Sequence, residues 1–212
     1  MHSTQTPPRF PFTILKGEGT TMRILIAAIL GGIVMFIWGA IAHMFLGLGN
    51  PGIHQPANED IVLSTLHEGL GTTPGVYILP SFDPKQWNNP VAREAYAKKS
   101  STSPYAWVVY LPQGDDMTDM HRQLPRQWAS DTLASLMLAF VMGLAAFSFS
   151  QRLRIAVAAA LFAWLSTLVP YWNWYRFPDA LTWAALFTQL IGWLLAGAVM
   201  AWWIGRGERK PA

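Results

Sequence analysis

The sequence predicts a mainly α-helical membrane protein with four transmembrane helices and a small α/β module (α-β-α-β) inserted on the extracytoplasmic side between helices 1 and 2. Three observations predict this. Four apolar runs, Ile24 to Leu48, Ala129 to Phe149, Ile155 to Val169 with aromatics following, and Leu181 to Ile204, compare with the roughly 20 residues a helix needs to cross about 30 Å of hydrocarbon. Only 13% of residues are charged, against about 25% in a soluble domain, and these charges lie almost wholly between the runs. Finally, Lys and Arg collect in short segments that alternate with balanced ones, as the resistance of positive charge to translocation requires.

Residues 1–21 are set apart because Met22-Arg23 followed by an apolar run reads as a start of its own. The codons of Lys16-Gly17-Glu18-Gly19 form a purine-rich stretch resembling a bacterial ribosome-binding site before Met22. The expectation is that translation begins at Met22 and that 1–21 is a mis-called start; the alternative is a disordered cytoplasmic tail rich in Pro and Thr. Transmembrane helix 1 covers 22–48. It reads as a retained anchor, being longer than the roughly 7–15 residues of a signal h-region and carrying His43, Met44, Phe45 and Leu46 where a small-x-small cleavage site would sit.

The insert, 49–128, holds six bases and eight acids and no cysteine, so it must fold without disulfides. Asn58 reads as a helix N-cap, followed by Glu59 and Asp60 at the positive helix end and by the stripe Ile61, Val62, Leu66, Leu70. Gly75 to Leu79 and Tyr105 to Leu111 are rich in Val, Tyr, Ile and Trp and stop at Pro80 and Pro112, the pattern of short strands. Asn89 to Lys99 between them reads as a helix with Pro90 in its first turn. Direct pairing of the strands favours a right-handed parallel crossover, with an antiparallel arrangement left open.

Helix 2 is placed at 129–149, a cytoplasmic loop with Arg152 and Arg154 at 150–154, helix 3 at 155–170, an outer aromatic turn at 171–180, helix 4 at 181–204 and a cytoplasmic tail with Arg206, Arg209 and Lys210 at 205–212. Arg9, Lys16 and Arg23 precede the first apolar run. Both termini are thus expected in the cytoplasm and 49–128 in the periplasm of a bacterial inner-membrane protein.

Several chemistries are excluded by composition. A thiol relay, covalent haem c, a cysteine-ligated iron-sulfur cluster and a lipoprotein anchor all need the thiol this chain lacks. A bis-histidine haem needs a second membrane histidine beside His43. Gly47-Leu48-Gly49-Asn50-Pro51-Gly52 matches G-x-G-x-x-G literally, but it follows a membrane run and is broken by Pro51, so it reads as a flexible exit from the membrane. His54, Glu59, Asp60 and His67, or Asp115, Asp116, Asp119 and His121, lack metalloprotease spacing and read as helix caps and solvated charges, with a weak divalent-ion site on the outer surface as the alternative; no metal and no cofactor is assigned. The small, dispersed net charge of +3 gives no nucleic-acid footprint.

The candidate binding residues are few. His43 lies near the outer end of helix 1, where it could meet a quinone head group, sense pH or hydrogen-bond a loop, and Asp131 begins helix 2 as an interfacial helix N-terminal charge. Tyr171, Trp172, Asn173, Trp174 and Arg176, between Pro170 and Pro178, form the densest aromatic segment. An ordinary aromatic belt accounts for it, as does a docking surface for the module, a partner protein or a lipid headgroup. The small-xxx-small pairs Ala28/Gly32, Ala139/Gly143, Ala156/Ala160 and Gly192/Ala196 provide for close helix packing, within the chain or in a homo-oligomer.

Met22-Arg23-Ile24-Leu25-Ile26, Gly31-Gly32, Trp38-Gly39, Asn58-Glu59-Asp60, Gly75-Val76-Tyr77 with Pro80, and Pro170-Tyr171-Trp172-Asn173-Trp174 together resemble a family of small bacterial inner-membrane proteins. The resemblance implies one unit from Met22 onward and brings no activity or catalytic residue with it. Two functional readings follow. A non-enzymatic accessory or scaffold protein would bind a membrane-protein partner or lipid at the outer membrane surface. A small-molecule-handling enzyme or transporter would use a site between the module and the outer helix ends, with His43, Asp131 and Arg176 converging. The absence of a catalytic motif favours the first.

Overall fold

The computed structural model describes residues 18–206. In chain order these form α1 (Glu18–Ala40) continued by a π turn (Ile41–Phe45), α2 (Glu59–Leu70), β1 (Gly75–Leu79), a 3-10 turn (Pro84–Gln86), α3 (Pro90–Thr102), β2 (Ala106–Tyr110), α4 (Gln123–Gly143), α5 (Phe149–Ala163), a second π turn (Trp164–Leu168), α6 (Val169–Tyr175) and α7 (Asp179–Arg206). Two compact units result, one from the helices on either side of the insert and one from residues 54–119. Residues 1–17 and 207–212, and with them most of the 1–21 segment set apart above and most of the C-terminal tail, lie outside the described residues. Glu18 to Thr21, assigned above to the tail, are the first turn of α1.

Three helical stretches are long and apolar enough to cross a membrane: Gly19–Phe45, Phe149–Tyr175 and Asp179–Arg206. The second is a correction to the boundaries expected from the apolar runs. Residues 129–149 are not one helix, because α4 ends at Gly143 and Ser148 opens a new one. The cause is a capping box. Ser148 Oγ accepts from the Gln151 N–H at 3.3 Å while the Gln151 side chain accepts from the Ser148 N–H at 2.8 Å, so two orphan donors of the helix start are satisfied reciprocally. Arg152 and Arg154 therefore sit in the first turns of α5, not in a loop at 150–154. At the other end, Tyr171 to Tyr175, expected in the aromatic turn, are helical.

The helical unit packs through its small residues. Ala27, Ala28, Ala139, Ala156, Ala160, Ala196 and Ala201 are buried, with Met142 and Met200 filling the space between them. A Cβ built on Gly32 would lie 2.7 Å from the Thr132 Cα, and one on Gly31 2.9 Å from the Ser135 Oγ, so α1 and α4 meet almost backbone to backbone. Ile24 approaches Gly143 at the far end of the same seam, which makes the two helices antiparallel. Gly192 against Met35 and Trp38, and Gly197 against Ala156, bring α7 equally close to α1 and α5. Two indoles tie the seams together: Trp38 Nε1 donates to the Thr188 carbonyl at 2.8 Å and Trp164 Nε1 to the Thr182 carbonyl at 2.9 Å. All four small-xxx-small pairs named above thus lie on faces packed inside the chain.

Large apolar side chains point the other way. Leu25, Ile29, Ile33 and Ile37 of α1, Leu133, Met137, Phe140 and Val141 of α4, and Phe187, Ile191, Leu194 and Leu195 of α7 are all exposed. Small residues inside and Leu, Ile and Phe outside is the arrangement of helices that associate in lipid, where backbone approach replaces hydrophobic drive.

Unit 54–119 is built on helix caps and tyrosine hydroxyls. Asn58 accepts from the Ile61 N–H at 3.1 Å, and Asn89 accepts from the Val91 and Ala92 N–H groups at the start of α3. Tyr110 Oη donates to the Gly71 carbonyl at 3.0 Å, and Tyr96 Oη to the Pro80 carbonyl at 3.3 Å. The strands pair antiparallel in the register Val76↔Val109, Tyr77↔Val108, Ile78↔Trp107, which replaces the parallel crossover favoured from topology. The exposure of Val76, Ile78 and Val109 on one sheet face explains the difference. Parallel sheets are covered on both faces, whereas antiparallel ones tolerate an open face.

Beyond β2, the Asp116 carboxylate accepts from the Thr118 hydroxyl at 2.6 Å and from the Thr118 N–H at 2.9 Å. These two bonds, the hydroxyl's first, hold the carboxyl below its ordinary range. Thr118→Val removes the stronger donor, and an NMR pH titration should show the Asp116 pKa rising toward the ordinary aspartate value. Because the wild-type value is depressed, the local stabilisation is present at neutral pH and lost as pH falls through it.

Candidate functional site

The densest cluster of sequence-predicted residues forms at the end of the α5–α6 and α7 helices. Its geometry begins with Pro170. Proline lacks an N–H and its ring clashes with the carbonyl four residues back. The chain accommodates it by widening the preceding turn, so that the Val169 N–H reaches the Trp164 carbonyl in a π-helical bond. Ser166 Oγ donates to the Phe162 carbonyl at 2.7 Å and Thr167 Oγ1 to the Ala163 carbonyl. Both hydroxyls bond back to carbonyls one turn earlier, a pattern that often bends helices. The turn also aims Trp164 inward, onto Thr182 and against Trp183 with ring centroids 5.5 Å apart.

Past this turn, α6 presents its aromatics outward. Tyr171 packs on Tyr175 at 5.5 Å and on Phe177 at 5.4 Å between ring centroids. Trp174 is 74% exposed. Arg176 ends α6 in the left-handed region, with φ 56°. This is the position at which helices favour glycine, and a bulky residue there is unusual. The Trp172 indole N–H donates to the Asp179 carboxylate, closing the hairpin. Trp172, Asn173, Arg176, Phe177, Pro178 and Asp179 line an open cavity of about 440 Å³.

No family model, curated protein or solved structure matches the chain.

The other two candidates lie apart from this cavity. His43 is exposed within the π turn that ends α1, with Nδ1 2.9 Å from the Gly39 carbonyl of its own helix rather than from a loop. Its ring packs under the following segment, since a Cβ on Gly49 would meet its Cδ2 at 2.6 Å. Asp131 accepts from Gln127 Nε2 at 2.9 Å and lies about two turns inside α4, so it is not the helix N-terminal charge expected. Among the described residues no hydrogen bond or ion pair joins His43, Asp131 and Arg176. No three His, Asp or Glu side chains gather as metal ligands among them either.

The Gly47–Gly52 segment is a series of hydrogen-bonded turns rather than a loose exit, with Leu48 N–H on the Ala42 carbonyl and Asn50 N–H on the Gly47 carbonyl. Gly52, at φ 80°, sits against Pro178, so this segment braces the aromatic hairpin. Sequence reasoning missed that brace, and also Asp179 as a partner of Trp172. Arg152 was missed as a buried group. It is 1% exposed, with Nε on the Met142 carbonyl at 3.2 Å and its guanidinium beside Gly205. The Ser148-x-x-Gln151 capping signature would have put it on a helix.

Proposed function

We propose that the chain is a four-span protein of the bacterial inner membrane, both termini cytoplasmic and residues 49–128 periplasmic, acting as a non-enzymatic accessory or scaffold protein. It binds a membrane-protein partner or lipid at the outer membrane surface through the aromatic hairpin. The observation that carries this reading is the exposed cluster of Tyr171, Trp172, Trp174 and Arg176 at the end of two membrane-length helices. Aromatic residues and Arg are the side chains that dominate binding surfaces.

Four spans rather than three are supported by α4. Its antiparallel seam with α1 leaves Leu133, Met137, Phe140 and Val141 as an uncovered apolar stripe, at a spacing that suits one lipid-facing side of a helix. Arg152 and Arg154 at the opposite end from the aromatic hairpin support the orientation.

The test is extraction of the full chain in mild detergent, followed by mass spectrometry of co-purifying proteins and lipids. A stoichiometric partner or lipid, lost on Trp172→Ala or Trp174→Ala, is expected. A monomer that carries neither would contradict the reading.

A further inference from the structure

We propose that the cavity at the aromatic hairpin binds the phosphoethanolamine headgroup of a membrane phospholipid, Arg176 holding the phosphate and Asp179 the ammonium. This rests on the reading of the hairpin as a docking surface at the membrane and names its ligand. Three observations carry it.

The first is charge. One guanidinium and one carboxylate line the cavity three positions apart, and no ion pair or hydrogen bond joins them among the described residues. Asp179 engages the Trp172 indole through a single oxygen, which leaves the other to accept. The Arg176 and Asn173 side chains have no hydrogen-bond or ion-pair partner among the described residues, and both are donors suited to a phosphate. Opposite charges held apart match a zwitterion. The indole of Trp172 and the ring of Phe177 add faces that attract a cation.

The second is depth. The two helices of the hairpin hold 27 and 28 residues, about 40 Å at 1.5 Å per residue. Hydrocarbon takes up about 30 Å and the whole bilayer about 40–45 Å. The three-residue link Arg176 to Pro178 therefore falls at headgroup level, which selects a lipid over a soluble phosphate ester as the source of this chemistry. The cavity, about 440 Å³, is within the roughly 300–1,000 Å³ typical of small-ligand sites.

The third is backbone. Arg176 occupies a left-handed helix cap that glycine would fill without strain. A side chain kept there at a conformational cost marks a site whose side chain matters.

The test uses the full-length protein, delipidated in detergent and offered an equimolar mixture of phosphatidylethanolamine, phosphatidylglycerol and phosphatidylcholine, with bound lipid read by native mass spectrometry. Wild type should retain phosphatidylethanolamine at least fivefold over the other two. Arg176→Gly should lower that retention at least fivefold with a melting temperature equal to or above wild type, since the substitution relieves the left-handed strain. Asp179→Asn should keep phospholipid bound but erase the preference for the ethanolamine headgroup.

Equal retention of the three lipids by wild type overturns the proposal, as does Arg176→Gly that still retains phosphatidylethanolamine. Soluble glycerophosphoethanolamine binding as tightly as the lipid overturns the lipid assignment. If another lipid or a protein is retained and lost on Arg176→Gly, the headgroup assignment fails while the docking surface stands. If wild type retains nothing, both fail.

Discussion

Replacing Gly32 with alanine costs the helical unit about 2 kcal/mol, and replacing it with leucine abolishes the fold in detergent. The magnitude follows from what the new atom meets. A Cβ on Gly32 would lie 2.7 Å from the Thr132 Cα, a backbone atom that cannot rotate away, so α1 and α4 must separate. Separation also loosens Gly31 against Ser135 in the same seam. Opposing it is the helix propensity of alanine, about 1 kcal/mol over glycine, which the overpacking exceeds. Gly39→Ala isolates that opposing term, because nothing lies within 4 Å of its Cβ position. Thermal unfolding in detergent should find Gly39→Ala unchanged or more stable, and Gly32→Ala less stable. Equal behaviour of the two would mean that the α1–α4 seam is not as close as described.

Arg152→Ala is the second large effect, expected at about 3 kcal/mol from the loss of a charge-assisted hydrogen bond and the exposure of its acceptor. The Arg152 side chain is buried where α4 and α7 both end. Its Nε donates to the Met142 carbonyl in the last turn of α4, and a Cβ on Gly205, in the last turn of α7, would lie 3.3 Å from its Nη1. Helix C-termini carry unsatisfied carbonyls and the negative end of the macrodipole. One guanidinium thus bonds the end of α4 and lies beside the end of α7. Lysine should not restore it, because an ammonium lacks the planar fork. Arg154, two residues on, is exposed and, among the described residues, bonds only within its own helix to the Ser150 carbonyl. Arg154→Ala should therefore stay within about 0.5 kcal/mol of wild type. The pair separates the structural use of positive charge from the use in setting orientation proposed for both arginines.

What the sequence made legible was set by composition and local chemistry. The apolar runs around Ile24–Leu48 and Leu181–Ile204 found α1 and α7, because no soluble helix needs so many consecutive apolar residues. Asn58 and Asn89 marked helix starts because their side chains satisfy the first N–H groups. Hydropathy could not see the break at Leu144 to Phe147, since those residues are as apolar as the helices they separate; only the Ser148–Gln151 capping box reveals it. Strand direction in unit 54–119 was not readable from two strands, whose pairing depends on which sheet face is covered. Within the candidate site, Tyr171 to Trp174 stood out by density alone. The role of Pro170 depended on a π turn that no periodicity predicts, and Asp179 became a site residue only through its contact with Trp172. His43, Asp131 and Arg176 had shared nothing but polarity near the outer ends of apolar runs, and the fold keeps them on separate elements.

The number of spans is tested most directly by one-sided thiol labelling, which this chain makes clean because it contains no cysteine. Single cysteines at Ser101 in the insert, Ala146 between α4 and α5, and Asn173 in the aromatic hairpin all occupy exposed positions. With four spans, a membrane-impermeant maleimide added to intact spheroplasts labels Ser101→Cys and Asn173→Cys but reaches Ala146→Cys only after permeabilisation. Labelling of Ala146→Cys from the same side as Ser101→Cys would mean that α4 does not cross, and the four-span bundle would be wrong.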